Sequence, residues 1–139
     1  MRRCPERLRS QEGALTPAAL VAALPGALTA ELLREPYRSR VAAGAHPLTG
    51  HCYVACEALY SLLGGKAAGY TPMCQKHEGG PHWWLRGPSG EVIDPTAAQF
   101  SSPVPYELGR GKGFLTREPS RRARIVMDRV RSCTEALRR

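Results

Sequence analysis

Apolar and polar positions along the chain fall into two periods, and each period predicts a different kind of element. From Gly50 to Gly65 the apolar residues Ala55, Leu59, Leu62 and Leu63 recur at helical spacing. Turn-forming Pro47, Thr49 and Gly50 precede them, and Gly64-Gly65 close them as a C-cap. A second helical stripe, Ala123, Val126, Met127, Val130, Cys133 and Leu137, has arginines opposite and is opened by Pro119 and Ser120. Near the start, Thr16-Pro17 reads as cap and first turn of a short helix, Ala18 to Leu24, stopped by Pro25-Gly26. Thr29 caps a further helix through Leu32 and Leu33, Pro36 interrupts it, and Tyr37 to Ala43 adds another turn or two.

The strand pattern lies between the two long helices. Ala67 to Met73 reads as one strand and Cys74 to Gly80 as a polar, flexible approach. His82-Trp83-Trp84-Leu85-Arg86 and Glu91-Val92-Ile93-Asp94 read as a hairpin joined by Gly87-Pro88-Ser89-Gly90. Pro88 and Ser89 suit the right-handed positions of a type I turn, and Gly90 suits the left-handed residue closing a three-residue loop. That turn sets Gly87 opposite Glu91, Trp84 opposite Asp94 and His82 opposite Thr96. His82 and Asp94 then share a face as diagonal neighbours, roughly 7–8 Å apart at Cα. A loop of two or four residues would put them on opposite faces. Pro95 ends the hairpin, and Ala97 to Phe100 suits a helical turn. Residues 101–113 read as a glycine- and proline-rich loop with Arg110 and Lys112 at its tip, and Phe114-Leu115-Thr116 as a last short strand.

Composition narrows the class. A chain of 139 residues suits one domain with a modest core, residues 15–139, behind a loose basic arm over residues 1–14. No apolar run reaches membrane-spanning length, and the charged start lacks an apolar segment behind it, so neither a signal peptide nor a membrane partner is expected. Five cysteines, an odd number without framework spacing, point to free thiols and a cytoplasmic location. Of the net charge of +8, residues 117–139 carry +5, eight arginines against Glu118, Asp128 and Glu135. Arginine forks suit carboxylate or phosphate, so a basic adaptor for nucleic acid or an acidic protein is one functional class. Solvation of a charged helix face is the plainer account of the same residues.

Candidate chemistry centres on Cys52. In the first turn of a buried helix, free N–H groups and the positive dipole end favour a thiolate. His82 on a strand and Asp94 on its partner supply a base and a group to orient that base. The backbone N–H of Cys52 suits a developing oxyanion. Taken singly, Cys52 suits a small core residue, His82 a satisfied strand histidine and Asp94 a turn-former before Pro95. Together, in matched register, they point to catalysis. Cys56, one turn further in, is expected to be core packing behind the site. Trp83 and Trp84 point to opposite faces; core packing suits both, and Trp84, on the face of Asp94, is also the candidate wall of the site. A third class is a zinc-stapled module, with Cys52, Cys56, Cys74 and His77 as ligands.

Gly50-x-Cys52 leading a helix, His82-Trp83-Trp84-Leu85, and Gly90-x-Val92-Ile93-Asp94-Pro95-Thr96 together resemble the transglutaminase-like branch of the papain-like cysteine-enzyme superfamily, over residues 48–100. The resemblance implies an α+β fold with the nucleophile helix packed on a small antiparallel sheet between N- and C-terminal helices. It also implies Cys52 as nucleophile, His82 as base and Asp94 as the orienting carboxylate; no cofactor or metal is expected. The expected activity is acyl transfer through a thioester on a peptide, protein or other amide, as in a thiol protease, an amide hydrolase or a protein crosslinker. The chain departs from papain-like proteases in having no glutamine ahead of the cysteine. His51 and Gln75 are the candidates for the missing oxyanion donor, and Trp84 is the expected substrate wall.

Overall fold

The computed structural model describes residues 16–138, so the expected arm over residues 1–14 lies outside the described residues. Helix α1 (Pro17–Ala27) starts as its sequence dictates: the Thr16 hydroxyl accepts from the Ala19 N–H, and Pro17 takes the first helical position. It does not stop at Pro25, which lies inside its last turn. Leu20, Ala23, Leu24 and Ala27 bury one face of this helix, and that burial outweighs the single backbone bond the proline forfeits. Thr29 leads only into a 3-10 turn, Ala30–Leu32, because its hydroxyl bonds Glu31 rather than a backbone N–H. Helix α2 (Tyr37–Ala42) follows Pro36, and α3 (Cys52–Leu62) ends where Gly64 turns left-handed at φ 99°. Gly50 is required ahead of α3, since a Cβ there would come within 2.5 Å of the Tyr37 side chain.

Among the described residues four antiparallel strands form one sheet in the order β3-β2-β1-β4. Strand β1 (Thr71–His77) begins later than expected and runs through the polar stretch. Gly65–Ala68 is a 3-10 turn held between left-handed Gly64 and Gly69, which keeps residues 64–69 out of extended pairing. The tight turn Glu78-Gly79, both at positive φ, then returns the chain as β2 (Gly80–Arg86). Strand β3 (Val92–Ile93) pairs Ile93 with Leu85 and Val92 with Arg86, while the Gly87 N–H donates to the Glu91 carbonyl at 2.8 Å. Gly90 sits at φ 82°, so the register predicted from the turn chemistry is the observed one. Strand β4 (Arg110–Gly111) lies inside the stretch expected to be loop. Residues 114–116 form no strand: the ladder is already completed by Lys112, whose N–H bonds the Pro72 carbonyl. Phe114 packs instead against Tyr53, Tyr60 and Trp83.

The sheet has two distinct faces. Cys74, Trp83, Leu85 and Ile93 join the core cluster with α1, α3 and α4 (Arg121–Arg138). Met73, Gln75, His77, His82 and Trp84 point the other way, and the irregular segment after β3 covers them. On α4 the stripe Ala123, Val126, Met127 and Val130 is buried as its spacing predicts. Ser120 caps this helix, its hydroxyl accepting from the Ala123 N–H. Buried Glu57 of α3 accepts from the Ser120 N–H at 2.7 Å and from its hydroxyl at 2.8 Å. Two α4 arginines are structural: Arg122 donates to the Leu32 carbonyl, and Arg129 to the Ala27 carbonyl and the Thr29 hydroxyl. Among the cysteines, Cys52, Cys56 and Cys74 are free, but Cys133 is disulfide-bonded, so the expectation of free thiols throughout fails there. No helix among the described residues is long and apolar enough to cross a membrane. The architecture is thus mixed α+β, with four α-helices and a small four-stranded antiparallel sheet among the described residues.

Candidate active site

The hairpin register brings His82 and Asp94 together. His82 Nε2 and Asp94 Oδ2 are 2.7 Å apart, and the histidine is fully buried. Asp94 also accepts from the Tyr106 hydroxyl at Oδ2 (2.8 Å) and from the Thr96 N–H at Oδ1 (3.3 Å). A carboxylate bound by three donors makes His82 Nε2 the protonated nitrogen and leaves Nδ1 with its lone pair. His82 Nδ1 is buried and has no hydrogen-bond partner among the described residues. Rings enclose the imidazole: Phe100 at 4.6 Å edge-on and Trp84 at 5.7 Å, centroid to centroid. Trp84, 1% exposed, therefore walls the histidine as its position opposite Asp94 predicts.

Cys52 is placed at the same stretch of β2 but meets backbone rather than imidazole. Gly87 turns its N–H toward β3, so by alternation Pro81 and Trp83 turn their polar groups to that edge too. Strand β3 is only two residues long and leaves this part of the edge open. The Cys52 sulfur occupies it, 3.8 Å from the Pro81 carbonyl oxygen and accepting from the Trp83 N–H. It thus lies in the plane of the sheet, beside the backbone on both sides of His82. The imidazole leaves that backbone toward the face away from α3, and no hydrogen bond joins it to the sulfur. Burial opposes the thiolate expected at a helix start. Burial pushes the Cys52 thiol up to about 11, outweighing the Trp83 and Tyr53 N–H groups that act in the opposite sense.

The remaining candidates divide by strand geometry. Gln75 is the direct cross-strand partner of His82 and shares its face. His51, by contrast, is buried just before α3, caps nothing with its side chain, and leaves Nε2 unpartnered among the described residues. Its ring lies where Arg122 and Glu31 act on it, on the helical side of the molecule, and burial holds it down to about 4. Cys56 is fully buried in the core with its thiol pushed well up, as expected of packing behind the site. The zinc ligand set does not assemble: Cys74 and His77, three apart on β1, point to opposite faces, and His77 packs on Phe100. Among the described residues no three His, Cys, Asp or Glu side chains form a metal-holding group.

Two residues of the site carry no signal in the chain. Tyr106 and Phe100 come from the segment after β3, whose course no periodicity specifies. That segment is tied down by Glu78, which accepts from the Ser101 and Ser102 N–H groups at the tip of the β1–β2 hairpin. A cleft of about 700 Å3 opens beside the site between α1 and the β2–β3 hairpin, lined by Val21, Ala22, Tyr70, Val92, Ile93 and Asp94. Compared with known proteins, the chain matches no family model, no curated protein and no solved structure.

Proposed function

We propose that the protein is a cysteine-dependent acyl-transfer enzyme of transglutaminase-like, papain-like type, with Cys52 as nucleophile, His82 as base and Asp94 as the carboxylate that orients it. The observation that carries this reading is the state of His82: Nε2 pinned by Asp94 at 2.7 Å and Nδ1 buried without a partner. A buried imidazole with one bare nitrogen is a group prepared to accept a proton. The sulfur that would supply it lies against the backbone of residues 81 and 83.

With burial raising the thiol, the reaction in this reading starts by general-base catalysis rather than from a standing ion pair. This reading requires Cys52 to turn away from the Pro81 carbonyl, 3.8 Å from its sulfur, so that the thiol reaches Nδ1. His82 takes the thiol proton as sulfur attacks the acyl carbon, and the imidazolium returns that proton to the departing amine. Water then gives its proton to Nδ1 and its oxygen to the thioester, releasing a carboxylic acid and restoring the thiol. Gln75, the cross-strand partner of His82, is the proposed donor toward the oxyanion, and the cleft beside Asp94 is the proposed seat of an apolar acyl portion. The test uses p-nitrophenyl acetate and intact-mass detection of the acetyl adduct. The adduct is expected on Cys52 alone, absent in Cys52→Ala and formed at least about a hundredfold more slowly in His82→Ala. Equal rates in His82→Ala, or acetylation spread evenly over Cys52 and Cys74, would refute the assignment.

A further inference from the structure

Resting on the Cys52–His82–Asp94 reading, we infer that Tyr106 is a positioning residue that fixes which nitrogen of His82 stays bare. Its hydroxyl and His82 Nε2 meet at one atom, Asp94 Oδ2, at 2.8 and 2.7 Å. A carboxylate oxygen that already accepts from a hydroxyl offers its next partner only a lone pair. His82 must then present N–H at Nε2, which keeps Nδ1 free for the thiol proton. Without the hydroxyl, Oδ2 has one donor fewer. The alternative arrangement, with Asp94 holding the proton or the imidazole protonated at Nδ1, becomes accessible.

The way Tyr106 is held supports the role. It opens a 3-10 turn, Tyr106–Leu108, and its ring meets Trp84 edge-on at 5.2 Å. Gly109 follows with its backbone so close to Trp84 that a Cβ would come within 2.2 Å of the indole. The hydroxyl is thus delivered from a turn clamped against the same tryptophan that walls His82. Burial and the contact with Asp94 push the tyrosine up, so it donates at every pH at which the protein is handled.

Two measurements on the full chain test this. Nitrogen-15 correlation spectra of the His82 ring report the tautomer directly and need no substrate. The native protein is expected to show a single form protonated at Nε2, and Tyr106→Phe a mixture, with acetylation of Cys52 by p-nitrophenyl acetate slowed roughly tenfold, the scale of one hydrogen bond to a charged group. An unchanged single tautomer with an unchanged rate in Tyr106→Phe would overturn the inference. Should that variant fail to fold, 3,5-difluorotyrosine at position 106 keeps the shape with a stronger donor. It is expected to move the His82 Nε2–H resonance, and an unmoved resonance would overturn the inference equally. Full acetylation in Cys52→Ala would instead sink the enzyme reading while leaving the tautomer result intact, so the two failures are distinguishable.

Discussion

The charge state of Cys52 separates two mechanisms that share the same residues. A standing thiolate–imidazolium pair alkylates readily at neutral pH; a buried neutral thiol does not. Burial raises Cys52 from 9.0 to about 11. At pH 8 the thiolate fraction then falls from about one in ten to about one in a thousand, a hundredfold slower reaction with iodoacetamide. The assay is peptide mass spectrometry of the folded protein between pH 6 and pH 10.5, with urea-unfolded chain as reference. Folded Cys52 is expected to label about a hundredfold more slowly than unfolded Cys52 at pH 8, and its rate should still be climbing at pH 10, where the unfolded thiol has levelled off. The pH profile matters more than the absolute rate, because access alone slows labelling without moving its inflection. A Cys52 rate already on its plateau at pH 7 would refute the neutral thiol and restore the ion pair expected from the helix dipole.

Two further outcomes follow from buried polar groups outside the site. Glu57→Ala removes both bonds that hold Ser120 at the head of α4. Thermal unfolding followed by circular dichroism should show a loss of about 3 kcal/mol and a midpoint roughly 10 °C lower, and a shift under about 2 °C would contradict the role given to this carboxylate. His51, held down to about 4 by burial and then by Arg122, stays neutral in the fold while the unfolded chain takes up its proton near 6.5. Stability should therefore fall as pH drops from about 6.5 to 4, by up to about 3 kcal/mol, and His51→Gln should flatten that slope in urea titrations. An equal slope in the variant would show that other groups carry the acid response.

How much was legible in the chain depended on whether a local rule decided the matter. The hairpin from His82 to Asp94 was, because Pro88, Ser89 and Gly90 each fit one conformation, and the register follows from loop length alone. The buried stripe of α4 was legible for the same reason, its period being written in the residues themselves. The start of β1 was not: Ala67 and Ala68 are compatible with strand or turn, and left-handed Gly64 and Gly69 decided it. Nor was Glu78-Gly79, which lacks the Asn-Gly or Asp-Gly signature of its turn. Pro25 inside α1 shows tertiary burial overriding a local stop. The thiol of Cys52 shows the same contest in electrostatics, where a helix start argues for charge and desolvation argues against it more strongly. Tyr106 lay beyond reach because its place depends on a long irregular segment folding back over the sheet.

The two outer strands of the sheet, β3 and β4, are two residues each. A neighbouring molecule seeking to extend the ladder finds only a stub on either side, and on β4 the side chain offered is Arg110, with Lys112 just beyond it. Brevity and positive charge at the margins guard against edge-to-edge aggregation. The protein can thus keep one strand edge open for a sulfur without inviting fibrils.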